Sequence, residues 1–192
     1  MIYTISYGRF INHASLEAAL KAENNPPSQQ VWVKGFQRHL GAVPKIPLGG
    51  VSAQFTRNGR PVVVQKRRSI CTISESKRYS FNGVLYLLND ELYARLIVVE
   101  AAIGFSPIPV SWGHITSFPE RRLLHRNHKA VSFSGSPENT VTHLEPDSRY
   151  IDTLIASATE LGDQFFNAFI ETTYFPNRNE TLKQRYGKFI QE

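Results

Sequence analysis

The sequence predicts an α+β domain, and two observations carry the prediction. Short segments rich in β-branched and aromatic residues recur from Ile2 to Ser134, and the last quarter changes to apolar residues at helical spacing. Strands first and helices afterwards read as segregated layers. A chain of 192 residues suffices for one hydrophobic core. Residues 1–192 are therefore expected to form a single domain, with a helical C-terminal region from about 147 to 192.

Ile2–Ser6 reads as an opening strand, broken by Tyr7-Gly8 because Gly suits an unusual backbone turn. "LEAALKA" follows as a short helix capped by Asn12 or Ser15, and "ENNPPSQQ" as a loop. Strands are expected at Val31–Gln37, Gly50–Phe55, Pro61–Gln65, Ser69–Ser74 and Phe81–Leu88, with "RNGR" (Arg57–Arg60) as a hairpin turn. "NDELYARLIVVEAA" reads as a helix with Asn89 as cap and two acids in the first turn. Ser106–Trp112 and Lys129–Ser134 read as further strands. Tyr150, Ile151, Leu154, Ile155, Ala158 and Leu161 give a helix opened by Asp147 or Ser148 and closed by Gly162. "DQFFNAFIETTYF" and "NETLKQRYGKFI" supply two more.

The formal charge is +6, concentrated in "QKRRS" (Gln65–Ser69) and "ERRLLHRNHK" (Glu120–Lys129). Neither run interleaves aromatics as a single-strand binding platform does, so nucleic acid or another acidic partner is a weaker expectation than solvated loops. No stretch approaches the roughly 18 apolar residues of a membrane span, and the N-terminus has no secretory-signal pattern, so a cytoplasmic setting is expected. Cys71 is the single cysteine, and the six histidines show no metal spacing.

One side chain asks for a reason. In "RLIVVEAAIGF" (Arg95–Phe105), Glu100 is the only ionisable group between the ends. On a helix it falls about 40° from Leu96, beside the stripe of Leu92, Leu96, Val99 and Ile103. A carboxylate there is costly unless paired or neutralised. Either a basic residue pairs with it, or it lines a pocket of low polarity and carries protons near neutral pH.

Three blocks resemble the γ-glutamylcyclotransferase superfamily, in the family's order. "YGRFINHASL" resembles its Tyr-Gly-Ser-Asn loop. "FNGVLYLLNDELYARLIVVEAAIGFSPIPV" resembles its Gly-Val-x-Tyr strand leading to an L-D-x-x-E-G helix. "PDSRYIDTLIASATELG" resembles the helix after a Pro-Ser-x-x-Tyr start. The resemblance implies a small mixed β-barrel flanked by helices. It implies a small γ-glutamyl substrate cyclised to 5-oxoproline with release of an amine or amino acid, and neither metal nor cofactor. It makes Glu100 the general acid/base and Tyr7, Gly8, Arg9 and Phe10 the substrate loop. The sequence departs from the family at Arg9-Phe10 for Ser-Asn, Ile97 for Asp, Ala101 for Gly, and Phe105 and Phe133 for two Tyr positions, which join the substrate-binding set. Those departures admit two readings: an altered substrate, or an inactive member that binds an acidic partner.

Overall fold

The computed structural model describes residues 1–45, 52–57, 60–65, 68–118, 127–141, 143–176 and 179–187. In chain order the elements are β1 (Ile2–Ser6), α1 (His13–Leu20), β2 (Ser28–Ala42), β3 (Ser52–Arg57), β4 (Arg60–Gln65), β5 (Ile70–Leu88), α2 (Asp90–Ala102) and β6 (Phe105–Pro109). There follow β7 (Ile115–Ser117), β8 (Ala130–Gly135), α3 (Ser148–Glu160), α4 (Asp163–Thr172), β9 (Thr173–Phe175), β10 (Glu180–Thr181) and α5 (Leu182–Tyr186).

One mixed sheet runs β10-β9-β2-β5-β1-β8-β6, with β7 also on β2. β1 pairs with β8, and β2 with β9, in parallel; the other pairs are antiparallel. The α+β class and the mixed sheet flanked by helices are as expected. The barrel is not closed: among the described residues the strand path has two free ends. β3 and β4 form a separate hairpin in register Arg57↔Arg60, around a turn that lies outside the described residues.

β5 is a single strand of 19 residues, where the sequence suggests two. The polar stretch Glu75–Ser80 carries a bulge: between Lys34↔Ser80 and Phe36↔Glu75 β2 advances two residues and β5 five, so the extra residues of β5 lie opposite Gly35, whose φ of +83° favours glycine. Gly83 lets β5 approach β1: a Cβ there would stand 2.7 Å from the Ser6 carbonyl oxygen. The C-terminal region is less helical than expected. α4 stops at Thr172, and the β-branched and aromatic Thr173–Phe175 form β9 instead, Thr173 and Tyr174 pairing with Arg38 and His39. Within the described residues α5 spans Leu182–Tyr186, opened by a Thr181/Gln184 capping box; residues 188–190 of the expected helix lie outside them.

The core lies between the sheet and α1, α3 and α4, around Tyr3, Ile11, Leu16, Phe81, Tyr86, Leu154, Phe165 and Phe169. At its centre Arg38 is fully buried. It donates to the Asn82 backbone oxygen (2.6 Å) and Oδ1 (3.0 Å), the Phe169 carbonyl (2.9 Å) and Thr172 Oγ1 (2.8 Å), tying β2 and β5 to α4. Among the described residues, no helix is long and apolar enough to cross a membrane.

Candidate active site

α2 carries Glu100 inward. Asn89 caps the helix by accepting from the Leu92 N–H at 2.8 Å. Arg95 braces it against the end of α1, donating to the Leu20 carbonyl at 2.7 Å and to Glu91 at 2.6 Å. Only Leu96 and Glu100 of this helix are buried. They are one turn apart on the same face, as the periodicity predicts.

That face meets the turn after β1. Pairing with β8 ends at Thr4 and with β5 at Ser6, and a 3-10 turn (Arg9–Ile11) carries Arg9 and Phe10 toward α2. The Tyr7 hydroxyl donates to the Phe133 carbonyl of β8, which ties this turn to the next strand. At Gly8 the backbone (φ −121°, ψ −129°) is neither helical nor extended, the unusual turn expected there. A Cβ would make only ordinary contacts, with Cys71 Cβ at 3.4 Å and the Tyr150 hydroxyl at 3.7 Å.

All seven residues singled out from the sequence (Tyr7, Gly8, Arg9, Phe10, Glu100, Phe105 and Phe133) line one pocket of about 40 Å³. Ile70, Cys71 and Tyr150 join them. Of the fourteen lining residues only Arg9 and Tyr150 are not buried, so these two form the mouth. The volume holds about three waters and is well below that of a ligand-filled site. Entry of a substrate therefore requires a mouth residue to move.

The electrostatics follow from this dryness. Burial pushes the Glu100 carboxyl up to about 7 from its ordinary 4.5, against the lowering pull of Arg9. The Arg9 Nη2 lies 3.9 Å from Glu100 Oε1, an ion pair too long for a hydrogen bond. Arg9 Nε and Nη2 are buried without a hydrogen-bond partner. Burial raises the Cys71 thiol to about 12, which keeps it neutral and a poor nucleophile. Tyr150 is also raised by burial, and its hydroxyl accepts the Cys71 N–H at 3.0 Å. Among the described residues no group of His, Cys, Asp or Glu is arranged to hold a metal ion.

No protein-family model and no curated protein matches the sequence. Solved structures do. The chain is similar to a γ-glutamyl cyclotransferase over 98% of its length and 97% of that protein's, with TM-score 0.61 and 12% identity. An uncharacterized protein from Homo sapiens aligns over 99% and 98%, at TM-score 0.57 and 11% identity. A γ-glutamyl cyclotransferase specific to glutathione from yeast aligns over 89% and 94%, at TM-score 0.51 and 13% identity. The chain has the γ-glutamylcyclotransferase fold.

On that fold, the pocket joins residues more than 140 positions apart in the chain. Sequence reasoning missed Tyr150 as a pocket residue. Its helical spacing marks it as apolar packing, and the hydroxyl that reaches the pocket leaves no periodic signal. Asp147 caps α3, accepting from the Arg149 N–H at 3.0 Å, and Glu145 just before it accepts from Arg185 at 2.7 Å. Gln65–Lys66–Arg67 and most of Glu120–Lys129 have side chains outside the described residues.

Proposed function

We propose that this protein is a γ-glutamylcyclotransferase-type enzyme of the cytoplasm, one domain from residue 1 to 192, working without a metal or cofactor. One observation carries the reading: Glu100 is 7% exposed and shares a pocket with the Tyr7-Gly8 turn. A carboxyl poised near neutrality can take and return a proton at physiological pH.

In the proposed reaction the free α-amine of a γ-glutamyl group attacks its own γ-carbonyl carbon. A C–N bond forms, closing the five-membered ring. The Glu100 carboxylate accepts the proton leaving the amine. The bond from the γ-carbon to the leaving nitrogen then breaks, and Glu100 returns the proton to that nitrogen. The products are 5-oxoproline and a free amine or amino acid, so no protein nucleophile is consumed. The first N–H groups of the Arg9–Ile11 turn have no partner within it and suit the developing oxyanion. The apolar walls, Phe10, Phe105 and Phe133 among them, exclude water and fold the substrate onto itself.

The test is 5-oxoproline formation from a panel of γ-glutamyl peptides and amines, read by mass spectrometry. The parent is expected to release it, and Glu100→Gln to fold and lose about 10²- to 10⁴-fold in turnover. Full activity in Glu100→Gln would remove Glu100 from the chemistry.

A second reading has its own observation. At the β5 bulge lies an open groove of about 1460 Å³ lined by Lys34, Lys77, Lys129, His114 and His128 with one carboxylate, Glu75. An inactive member of the fold would use it on an acidic partner. No 5-oxoproline from any substrate, together with heparin binding that weakens steeply with salt, would favour that reading.

A further inference from the structure

Arg9 replaces the small polar residue of the family loop, and its geometry separates two roles. An arginine that locked Glu100 would sit at the usual 2.7–2.9 Å of a charge-assisted hydrogen bond. Here the nearest approach is 3.9 Å, and Nε and Nη2 donate to nothing. The guanidinium lies 4.2 Å from the Phe10 ring centroid, so its plane is supported by packing and not by the carboxylate. The side chain is 28% exposed at the mouth. The result is a forked cation facing a dry pocket with two donors open. Such a fork matches a carboxylate bidentately, where a lysine does not.

What carboxylate fits is decided by Glu100. A ligand bridging both groups needs an anion for Arg9 and an amine for Glu100 at a separation of about one ion-pair distance. An α-amino acid carries these on one carbon. The carboxylate of a released amino acid stands several bonds further from the reacting amine and does not span the pair. We propose that the Arg9–Glu100 pair is a receptor for the zwitterionic end of a free α-amino acid, Arg9 holding the α-carboxylate and Glu100 facing the α-amine. This rests on the cyclisation reading above and narrows its substrates to those with an unblocked α-carboxylate. Arg9 is then a specificity-determining residue of this chain's own.

The test compares γ-glutamylalanine with 4-aminobutyrylalanine, which lacks only the α-carboxylate and would release 2-pyrrolidinone. The parent is expected to prefer γ-glutamylalanine strongly. Compared at an alkaline pH where Glu100 is ionised in both proteins, Arg9→Met is expected to raise KM for it roughly 10- to 100-fold with a much smaller change in kcat, so that the preference over 4-aminobutyrylalanine collapses. Arg9→Lys keeps the charge without the fork and falls between. Thermal melts establish that both variants fold. Undiminished preference in Arg9→Met, or equal losses on both compounds, overturns the receptor while leaving cyclisation intact. Calorimetry of γ-glutamylalanine on Glu100→Gln and on Glu100→Gln/Arg9→Met separates the remaining cases. Binding lost with Arg9, without turnover in the parent, keeps the receptor and removes the cyclisation. No binding to either protein overturns the receptor.

Discussion

Arg38 and Arg9 both turn inward, and they are bonded in different ways. Arg38 has no exposure and four hydrogen bonds, all to neutral oxygens, with the Phe169 ring centroid 3.9 Å from its guanidinium carbon. Burial lowers its pKa to about 9, so it stays charged at neutral pH without forming an ion pair among the described residues. Its counterweight is partly the end of α4, whose carbonyls carry the negative pole of the helix. Arg9 is partly exposed, close to a carboxylate, and leaves two donors open. Arg38 leaves only its Nε without a partner, and its two terminal nitrogens hold elements together. Arg9 leaves Nε and Nη2 unpartnered on one edge of its fork, beside a pocket.

The sharpest way to break this comparison is at Arg38. Arg38→Met keeps most of the volume but strips the Asn82 backbone oxygen and side chain of their donors in a dry core. Each stranded buried acceptor costs about 1–3 kcal/mol, so a loss of about 3 kcal/mol or more is expected. Urea denaturation measures it. A loss under about 1 kcal/mol would mean that Arg38 is a passenger and not a tie.

The pair also shows what a single sequence discloses. α2 was legible because its signals are local: a cap at Asn89, acids in the first turn, and a 3.6-residue period placing Glu100 beside Leu96. Arg38 was not, since nothing in "FQRHL" distinguishes a core arginine from a strand-edge charge. The continuity of β5 through Glu75–Ser80 was hidden for the same kind of reason. Its polar residues look like a loop, and they remain within one strand as a bulge only because β2, some 40 positions earlier, pairs on either side of them. β9 is formed by parallel pairing to β2 across more than 130 residues, and local propensity gave the longer helix instead. The three resembling blocks named the pocket's walls, but the strand order decides that Phe133 meets Tyr7 and that Tyr150 stands over Gly8.

The next effect is the pH dependence of stability, which isolates Glu100. Its folded pKa is raised, from 4.5 to about 7. Between those values the folded protein holds a proton that the unfolded chain has released. Stability from this group is therefore complete below about pH 4.5 and is lost as pH rises through about 7. The drop is about 3 kcal/mol. Glu100→Gln cannot titrate, so its stability relative to the parent should climb by that amount between pH 4.5 and 8. A constant difference across that range would show that Glu100 is ionised in the folded protein well below neutrality.

The smallest effect is expected at Arg9, and its size separates the two arginines. Arg9→Met removes two donors that bond to nothing in the folded protein, so no acceptor is stranded. The Coulomb pull of Arg9 on Glu100 also disappears, and the carboxyl's pKa rises further, leaving Glu100 neutral at pH 7. Neutralisation avoids the cost of an unpaired buried charge. Stability at pH 7 should thus change by less than about 1 kcal/mol, against the larger loss at Arg38. The Glu100 carboxyl carbon, followed by NMR through a pH titration, should show its midpoint move upward in Arg9→Met. A downward movement, or a stability loss as large as that of Arg38→Met, would make Arg9 a second structural tie and close the comparison.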